Sequence, residues 1–451
     1  MMNQRAAIIL AAGMSTRMKS TLSKVLHPVG GRPVIDWSIA LARSLGCSPI
    51  ICVISPEGHP VRAHIVEALG DEAVAEQSPA LGTGHAVSCA EGALAGFEGD
   101  VVVLYGDSPH IPEQAIEDLF ETLGAGASVG VLGFEADAPG LYGRLVTSAD
   151  GGLDAIVEAR EATPEQLEIT LCNSGVMAGK AETMFALLKR VTNDNAKGEY
   201  YLTDIIGLAR GDGLSCSVVT CAEEDLMGCD KREDLAIAEA IFQSRARAKL
   251  MANGVSLIAP ETVFLSYDTE IAQDVTIEPN VVFAPGVRVE SGARIRAFSH
   301  LEGAHVGPGC EVGPYARLRP GAVLKAKTKI GNFVEVKKTV VGEGAKANHL
   351  AYLGDGDIGA NANIGAGTIF CNYDGYFKHK TEIGEGAFIG SNSSLVAPVK
   401  IGDGAMTGSG SVITKNVEAD ALALGRGKQA EKAGWAKRFR DTMSARKNKK
   451  D

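Results

Sequence analysis

A six-residue repeat in the second half of the chain restricts the possible folds more than any other feature. From about residue 255 an apolar side chain recurs at every sixth position, at Ile271, Ile277, Phe283, Val289, Ile295 and Leu301. After a five-residue step the series resumes, and later returns, at Val306, Val312, Leu318, Leu324, Ile330, Val336, Ile383, Ile389, Leu395 and Ile401. Glycine often follows, as in VGPGCE and IGEGAF. This period predicts a parallel β-helix, whose coils each turn one side chain inward and bury it by stacking.

The first half, residues 1 to about 230, alternates short apolar runs with helical stretches. The runs AAIILAAG, IICVIS, DVVVLYGD and SVGVLGF predict strands that are buried on both faces. The stretches between them, such as PVIDWSIALARSLG, have the spacing and the glycine stops of helices. Strand and helix alternating at this pitch predict an α/β, Rossmann-like domain with a parallel sheet.

A long helix is predicted between the two halves. Leu235, Ala238, Ile241 and Phe242 fall on one helical face, and Asn253-Gly254 ends the stretch. We therefore expect an α/β domain at 1–230, a linker helix at 231–254, and a β-helix domain with a C-terminal tail at 255–451.

Composition limits the class of protein. The net charge of −11 argues against general binding to nucleic acid or to anionic membranes. Nine scattered cysteines without a CxxC pair indicate reduced thiols, and no signal-peptide pattern or apolar run of about 20 residues occurs. We expect a soluble, cytoplasmic protein. From Arg426 onward ten Lys and Arg residues face three acidic ones, and from Ser444 we expect a solvated tail.

The stretch IILAAGMSTRM at the N-terminus is a candidate nucleotide site. Loops that leave the carboxyl ends of parallel strands bind ligands in open α/β sheets. The small residues around Gly13 let backbone N–H groups approach phosphate oxygens, and Arg17 and Lys24 add positive charge. The loop matches neither GxxxxGK[ST] nor GxGxxG, so by itself it fits an ordinary strand-to-helix turn equally well.

Two further stretches strengthen this hypothesis. Asp107 follows the strand DVVVLY, where a carboxylate is a natural ligand for Mg²⁺, and Pro109 and Pro112 argue against a helix-capping role for it. The segment QSPALGTGHA places Gly82 and Thr83 just before a helix, which suits backbone contact with a base or a phosphate.

The densest interruption of the repeat, residues 346–384, is a candidate acyl-transfer site. His349 lies among the polar residues Asn348, Tyr352, Asn363, Asn372 and Tyr373. Acetyl transfer from a thioester to an amine needs a group that accepts the amine proton near neutral pH, and histidine can do this without a covalent intermediate. A histidine in a repeat also fits a purely structural hydrogen-bonding role, and we interpret Cys371 as packing only.

Eight stretches of the first half resemble nucleotidyltransferases that make nucleotide sugars. They are, in order, LAAGxxxRM, KVLHPVGGRP, QSPALGTGHA, LYGDSP, YGRLV, IVEARE, CNSGVM and GEYYLTDII. With the repeat half, residues 5 to 435 resemble the bacterial bifunctional N-acetylglucosamine-1-phosphate uridyltransferase / glucosamine-1-phosphate acetyltransferase family. The resemblance implies acetyl transfer from acetyl-CoA to glucosamine-1-phosphate. Uridylyl transfer from UTP then gives UDP-N-acetylglucosamine, a cell-wall precursor, and pyrophosphate. It also implies Mg²⁺, a left-handed β-helix, and a homotrimer with acetyl-CoA bound between subunits.

The resemblance also implies roles for individual residues. His349 is the expected general base, and Arg17 and Lys24 are the expected catalytic cations. The uridine nucleotide and UDP-sugar residues are Leu10, Ala11, Ala12, Gly13, Lys24, Gln77, Gly82, Thr83, Tyr105, Gly106, Asp107, Gly143, Glu158, Asn173 and Asp230, with Asp107 and Asp230 as metal ligands. Those for glucosamine-1-phosphate are Arg319, Lys337, Tyr352 and Asn363, and those for acetyl-CoA are Ala366, Asn372, Tyr373, Lys378, Ser391, Ser409 and Arg426.

The chain departs from the family pattern at three positions. Asp230 stands where the family usually has Asn, Met14 where a small or basic residue is common, and Ser409 where Ala is common. Two alternatives to the bifunctional enzyme stay open at this point. One is a nucleotidyltransferase whose β-helix serves only assembly or regulation, and the other is a scaffold without catalysis.

Overall fold

The computed structural model describes residues 4–13, 15–56, 60–149, 151–195 and 197–448. It divides into two compact units, Met1–Ala248 and Lys249–Asp451. The division falls inside one helix, Arg232–Ala252, rather than at the two ends of the linker segment 231–254.

A mixed β-sheet forms the centre of the first unit. Its strands are β1 (Arg5–Leu10), β2 (Ile50–Ile54), β3 (Val74–Glu76), β4 (Asp100–Tyr105), β5 (Val129–Glu135), β6 (Arg144–Thr147), β7 (Leu153–Val157), β8 (Leu171–Lys180) and β9 (Cys216–Thr220). They lie in the order β9-β5-β8-β4-β1-β2-β3, with β6 paired to β8 and β7. β1, β2, β3 and β4 are parallel, as expected, but β8 runs antiparallel to β4 and β5. The predicted parallel arrangement is thus confirmed for these four strands and for the pair β9 and β5, and β8 is an exception that makes the sheet mixed.

Helices cover both faces of this sheet. They are α1 (Val34–Ser44), α2 (Pro60–Leu69), α3 (Thr83–Cys89), α4 (Glu113–Gly124), α5 (Pro164–Leu167), α6 (Ala181–Leu188), α7 (Asp204–Gly211) and α8 (Arg232–Ala252), and a two-residue hairpin pairs Pro28–Val29 with Arg32–Pro33. Side chains that alternate along β1 enter two different cores, Ile9 with α1 and α4, and Ile8 with α3 and α6. Burial on both faces explains why these strands are continuously apolar.

The helix α8 packs on the first unit through the face that its sequence predicts. Ala238 is fully buried, and Leu235 and Phe242 pack against the small core formed by Met18, Val29, Val34 and Cys229. The carbonyl of Ala238 also accepts a hydrogen bond from the buried ring of His110, at 2.8 Å. α8 therefore contributes to the core of the first unit.

The second unit is a left-handed parallel β-helix with three faces. The first face contains Ser256–Leu257, Thr276–Ile277, Arg294–Ile295, Glu311–Val312, Lys329–Asn332, Lys346–His349, Asn363–Ile364, Phe388–Ile389, Met406–Thr407 and Leu422–Ala423. The second contains Val282–Phe283, His300–Leu301, Arg317–Leu318, Ile369–Cys371, Ser394–Val396 and Val412–Ile413. The third contains Glu270–Ile271, Arg288–Val289, His305–Val306, Val323–Leu324, Thr381–Ile383 and Val399–Ile401. Glu335–Val341 and Tyr352–Ile358 bend from the second face onto the third.

The repeat positions fill the interior of the β-helix. Each apolar residue of the six-residue series is buried, except Ile271 in an early coil, which is partly exposed. Small or β-branched residues two positions earlier, such as Val287, Ala293 and Ala304, are buried as well. These paired inward positions explain why the repeat is so regular, because each coil must present the same shape to the next.

Two segments depart from the coil. Most coils of the β-helix contain 17 or 18 residues, but the coil from Asn363 to Phe388 contains 25. The extra residues form a hairpin near Asn372 to Lys380 that projects from the wall of the β-helix. The tail forms helix α9 (Trp435–Lys447), which is exposed along its length, so helix continues past Ser444. Within the described ranges, no helix has both the length and the apolar character needed to cross a lipid bilayer. The nine cysteines all lie in those ranges and form no disulfide.

Candidate active sites

The first candidate site lies where β1 and β4 end side by side. The two strands pair in register, Leu10 beside Tyr105, and the Gly106 N–H donates to the Leu10 carbonyl at 2.9 Å. A side chain on Gly106 would meet that carbonyl and Ala11 at 3.2 to 3.3 Å, so glycine permits the close approach. The loops after both strands, and with them Ala12, Gly13 and Asp107, therefore open at one edge of the sheet.

A cluster of charges occupies this edge. Lys24 Nζ donates to Oδ2 of Asp107 and, at 2.6 Å, to Oδ1 of Asp230. Arg17 Nη1 lies 2.8 Å from the other oxygen of Asp230, and its side chain is 72% exposed. Burial lowers the pKa of Lys24, but the charges and hydrogen bonds of Asp107 and Asp230 outweigh it and raise that pKa. The four side chains, separated by up to 213 residues, form one network.

The local backbone aims Lys24 at the carboxylates. The Lys24 N–H donates to Ser15 Oγ at 2.8 Å, which joins the loop after β1 to the short 3₁₀ turn Lys24–Leu26. A Cβ atom on Gly13 would lie 3.7 Å from Lys24 Cε, so the lysine side chain runs along that glycine. On the other side, the Cys229 N–H donates to the Asp107 carbonyl at 2.9 Å and holds the segment before Asp230.

A second group of predicted residues forms a polar notch before α3. The buried Gln77 donates through Nε2 to the Gly82 carbonyl at 2.8 Å, and Thr83 Oγ1 accepts from the Leu202 N–H at 3.1 Å. Gly82 has φ of +103°, and a Cβ there would lie 2.7 Å from the Tyr200 carbonyl oxygen. Glycine is therefore required at position 82. The segment around Tyr200, which the GEYYLTDII motif supplies, is the wall of this notch.

The three residues expected to hold the sugar also meet. The Asn173 N–H donates to the Gly143 carbonyl at 2.8 Å, and a Cβ on Gly143 would lie 3.7 Å from both Asn173 and Glu158 Oε1. Burial raises the pKa of Glu158, Lys197 opposes this rise, and Glu161 adds to it. Burial also raises the pKa of Tyr105, assisted by Asp107 and then Glu158. Tyr105 is thus electrostatically close to both carboxylates.

Asp107 and Asp230 are suited to hold a hard divalent cation. Their carboxylates already converge on one ammonium group, so a positive charge is stabilised at that point. The described part of the chain has no group of three or more His, Cys, Asp or Glu side chains placed for a metal. Two carboxylates suffice for Mg²⁺, which retains waters and takes further ligands from substrate phosphates. The donor set fits magnesium better than zinc.

The second candidate site is built around His349. The imidazole is exposed at the end of its strand, and Nδ1 lies 2.8 Å from Asn332 Oδ1 on the preceding coil. Because an amide oxygen only accepts, Nδ1 carries the hydrogen. In the neutral ring Nε2 then has a free lone pair and can accept a proton.

The acetyl-CoA residues continue from His349 as a column. Strand pairing places Ala366 one coil beyond His349, and Ser391 and Ser409 follow on the next two coils. Arg426 Nη1 donates to the Ser409 carbonyl at 2.7 Å. Neighbouring coils are spaced by about 4.8 Å, so these residues form an extended row along the β-helix rather than a compact pocket. Arg426 contacts Ser409 through the backbone carbonyl, so this hydrogen bond does not depend on whether Ser or Ala stands at position 409.

Most of the glucosamine-phosphate residues lie on the second face instead. Arg319 is next to Lys337 on the following coil, and its Nη1 lies 2.8 Å from Glu335 Oε1. This hydrogen bond raises the pKa of Arg319. Tyr352 Oη accepts from the buried Asn372 at 3.5 Å. Asn363 is on the first face, beside Lys346. Tyr352 starts the strand that follows His349, and Asn363 lies one coil beyond the His349 strand, so the four residues are distributed over two adjacent faces.

The projecting hairpin is ordered by one carboxylate. Asp374 accepts hydrogen bonds from the N–H groups of Tyr376 and Phe377, at 2.8 and 2.7 Å, and from His379 Nε2 at 2.6 Å. The hydrogen bond from His379 is the main cause that lowers the pKa of Asp374. Lys378 Nζ lies 4.1 Å from the centre of the Tyr373 ring. The expected acetyl-CoA residues Tyr373 and Lys378 thus stack on each other.

Sequence reasoning missed Asn332 and Glu335, and it quoted the motif that contains Tyr200 without giving that residue a role. The repeat carried a usable signal for Asn332, because it precedes His349 by 17 residues, the length of one coil. Glu335 could be inferred in the same way from Tyr352, its register partner. No periodic pattern marks Tyr200, whose backbone lines the nucleotide notch. Met14 lies outside the described residues.

Comparison with known proteins adds family information to these two sites. The family model for the MobA-like NTP transferase domain matches residues 7–164, and that for the bacterial transferase hexapeptide (six repeats) matches residues 380–415. A Bifunctional protein GlmU from Hyphomonas neptunium is 66% identical over 98% of this chain and 96% of its own length. Proteins of the same name from Maricaulis maris and Caulobacter vibrioides are 57% and 55% identical, and the alignments cover at least 96% of both partners.

Proposed function

We propose, for a chain that belongs to the bifunctional GlmU family, that the sites around Asp107 and His349 perform its two transfer reactions separately. The enzyme transfers acetyl from acetyl-CoA to glucosamine-1-phosphate, and then uridylyl from UTP to N-acetylglucosamine-1-phosphate. The observation that carries the residue assignment is the contrast between the sites. One gathers two cations and two carboxylates at a sheet edge, and the other presents a free imidazole nitrogen.

The first unit would perform uridylyl transfer by positioning and charge neutralisation. An oxygen of the sugar phosphate attacks the α-phosphorus of UTP, and pyrophosphate leaves. Arg17 and Lys24 neutralise charge on the phosphates, and Gln77, Gly82 and Thr83 receive the uridine. Gly143, Glu158 and Asn173 hold the N-acetylglucosamine portion. The remaining backbone of the site, at Leu10, Ala11, Ala12, Gly13, Tyr105 and Gly106, shapes the nucleotide cleft.

Asp107 and Asp230 would hold the divalent metal that this family uses, and we assign it as Mg²⁺. When bound, the ion supplies positive charge that stabilises the transferring phosphoryl group. Asp230 gives this site two carboxylates instead of a carboxylate and an amide. Arg17 compensates the extra charge, because it binds the outer oxygen of Asp230 at 2.8 Å.

The second unit would perform acetyl transfer by general base catalysis. His349 Nε2 takes a proton from the amine of glucosamine-1-phosphate while the nitrogen attacks the thioester carbonyl, and the CoA thiolate leaves. Arg319 and Lys337 bind the sugar phosphate, and Tyr352 and Asn363 bind the sugar. The column Ala366, Ser391, Ser409 and Arg426, with Asn372, Tyr373 and Lys378 of the hairpin, binds acetyl-CoA.

We further propose that the protein acts as a cytoplasmic homotrimer. The family to which the chain belongs supports this proposal. Arg319, Lys337 and Tyr352 lie on the face next to that of His349, and Asn363 lies on the same face as His349. Neither nucleic acid nor a membrane is part of the proposed reaction.

The test follows the two products separately. Purified protein receives N-acetylglucosamine-1-phosphate, UTP and Mg²⁺ for pyrophosphate release, or glucosamine-1-phosphate and acetyl-CoA for free thiol. We expect Asp107→Ala to lose pyrophosphate release by about 10²–10³-fold while thiol release continues, with the reverse for His349→Ala.

The two alternatives give different results. An assembly-only β-helix predicts no thioester cleavage by the wild-type protein, and a scaffold predicts neither product. A folded variant at either position that abolishes both reactions would contradict the assignment of two independent sites.

A further inference from the structure

Lys24 occupies the position between the two carboxylates that the proposed function gives to the metal. We propose that Lys24 is an exchangeable counter-ion: it neutralises Asp107 and Asp230 while the metal is absent and turns to the nucleotide phosphates only when the metal takes its place. Metal and nucleotide binding would then be coupled through this one side chain. The inference rests on the proposed function of the first unit.

The geometry commits the charge of Lys24 to the two carboxylates. Its ammonium group donates to Asp107 Oδ2 and Asp230 Oδ1 together, and the side chains of Lys24 and Asp107 are only 15% and 16% exposed. Two carboxylates this close in a partly buried site repel each other unless a cation lies between them. The ammonium group has one N–H left, but two carboxylates already neutralise its charge, so it offers little net positive charge to a polyphosphate at the loop around Gly13.

Arg17 does not share this constraint. It contacts only the outer oxygen of Asp230, at 2.8 Å, and its side chain is 72% exposed. Arg17 can therefore leave Asp230 for a phosphate while Lys24 still neutralises the space between Asp107 and Asp230. The coupling between metal and nucleotide binding is therefore specific to Lys24, and Lys24 and Arg17 are not equivalent.

Linkage makes the consequence reciprocal. A metal that displaces Lys24 must overcome its two ion pairs, so Lys24 weakens metal binding in the absence of nucleotide. The same displacement frees Lys24 for phosphate, so Lys24 strengthens nucleotide binding only when metal is present. Removal of the positive charge of Lys24 is thus expected to raise metal affinity when nucleotide is absent, and to lower nucleotide affinity when metal is present.

The first measurement uses the full-length protein and Mn²⁺ alone, with free Mn²⁺ followed by electron paramagnetic resonance and no nucleotide present. We expect Lys24→Met to bind Mn²⁺ at least about 10-fold more tightly than the wild type, which corresponds to about 1.4 kcal/mol, because the ion no longer displaces an ammonium group from the two carboxylates. Lys19→Met is the matched control, since Lys19 lies on the same loop and is exposed. Its Mn²⁺ affinity is expected to change less than about twofold.

The second measurement is UTP binding by calorimetry, in EDTA and in saturating Mg²⁺. Lys24→Met is expected to match the wild type within about twofold in EDTA but to bind about 10-fold or more weakly with Mg²⁺. Magnesium that chelates free UTP affects both proteins equally, so the ratio between variants isolates the side chain. If Lys24→Met does not fold, Lys24→Gln, which keeps a polar donor, replaces it in both measurements. Thermal melting with and without Mn²⁺ verifies that each variant is folded.

The outcomes separate this inference from the function on which it rests. If wild-type protein binds no Mn²⁺, or Asp107→Ala binds it as well as the wild type, the proposed metal site is wrong. If Mn²⁺ binds at Asp107 but Lys24→Met and wild type bind it equally, only the counter-ion exchange is wrong. An equal loss of UTP affinity in EDTA and in Mg²⁺ would overturn it as well, because Lys24 would then contact the nucleotide without metal.

Discussion

At the scale of single residues, the hydrogen bond between Asn332 and His349 determines what the imidazole can do. It fixes the hydrogen on Nδ1 and leaves Nε2 to accept a proton. We expect Asn332→Ala to lower acetyl transfer about 10- to 100-fold, as for other partners that orient a functional histidine. Asn332→Asp introduces a negative charge beside the ring that favours the protonated imidazolium, so we expect the acidic limb of the rate–pH profile to move to higher pH.

The measurement is thiol release across pH 5.5 to 9 for both variants. A residue that only supports the fold would change the rate without moving the profile. Uridylyl transfer by the same proteins is the internal control and is expected to stay at the wild-type rate. An unchanged profile for Asn332→Asp would mean that this hydrogen bond does not set the protonation of His349.

Gly82 offers a second residue-scale prediction, this time for the nucleotide notch. Gly82→Ala would place Cβ 2.7 Å from the Tyr200 carbonyl oxygen at a φ of +103°, so the loop before α3 must move. We expect KM for UTP to rise about 10-fold or more while acetyl transfer is unaffected. Gly92→Ala is the matched control, because Gly92 lies in a short helical turn with no atom within 4 Å of the added methyl group. A KM equal to that of the Gly92 variant would contradict the role of this loop.

The chemistry of the first site was predictable only in part from the sequence. Asp107 was identifiable because a charged residue directly follows an apolar strand, and strand ends are where such sheets bind ligands. The bridge from Lys24 to Asp107 and Asp230 was not, because it joins positions 83 and 206 residues apart. A side-chain network of this kind depends on the final packing of α8 and the loop after β1, which leaves no periodic trace in the sequence.

At the scale of elements, each coil of the β-helix is stabilised mainly by its inward residues. Ile330 is fully buried, with coils on both sides, whereas Ile369 points outward and is 40% exposed. We expect Ile330→Ala to destabilise the second unit by about 2–5 kcal/mol and Ile369→Ala by well under half of that. Differential scanning calorimetry on the full chain resolves the comparison through the melting temperature of the second unit. Equal shifts for the two variants would contradict the inward and outward assignment.

The docking of α8 is a second prediction at this scale. Phe242 packs against the hairpin at Gly30, where an added Cβ would lie 2.6 Å from its ring, and Asp230 is two residues before the helix starts. Phe242→Ala is expected to destabilise the first unit by about 2–4 kcal/mol and to lower uridylyl transfer several-fold by displacing Asp230. Ile237→Ala on the same helix, where the side chain is 49% exposed, is the control. Acetyl transfer that falls in parallel would argue against this explanation.

Element prediction succeeded where one physical constraint repeats. The β-helix was predictable because every coil must bury the same two inward positions, and the strands β1, β2 and β4 because burial on both faces makes them continuously apolar. The direction of β8 was not predictable, because a strand buried on both faces has the same composition whether it runs parallel or antiparallel. Its polar residues, including Asn173, weaken the strand signal further.

At the scale of the whole molecule, the described histidines that are buried both belong to the first unit, where His64 and His85 are partly exposed. In the first unit His27 and His110 are buried, and burial is the main cause that lowers both pKa values. Arg232 lowers the pKa of His27 further. For His110, Arg245 also lowers the pKa, whereas the hydrogen bond to the Ala238 carbonyl and the charges of Asp225 and Glu224 raise it. In the second unit the described histidines, His300, His305, His349 and His379, lie at or near the surface.

This contrast predicts that acid destabilises the first unit before the second. A folded-state pKa below the unfolded value of about 6.5 means that the unfolded chain binds more protons, so stability is complete above about pH 6.5 and falls as the pH decreases below it. Between pH 7.5 and 5.5 we expect the calorimetric transition of the first unit to move to lower temperature more than that of the second. Uridylyl transfer, measured at pH 7.5 after incubation at pH 5.5 and 37 °C, should then be lost before acetyl transfer. The double variant His27→Gln, His110→Gln removes both groups and is expected to flatten this dependence. If the variant keeps the full pH dependence, groups other than the two buried histidines determine the acid limit.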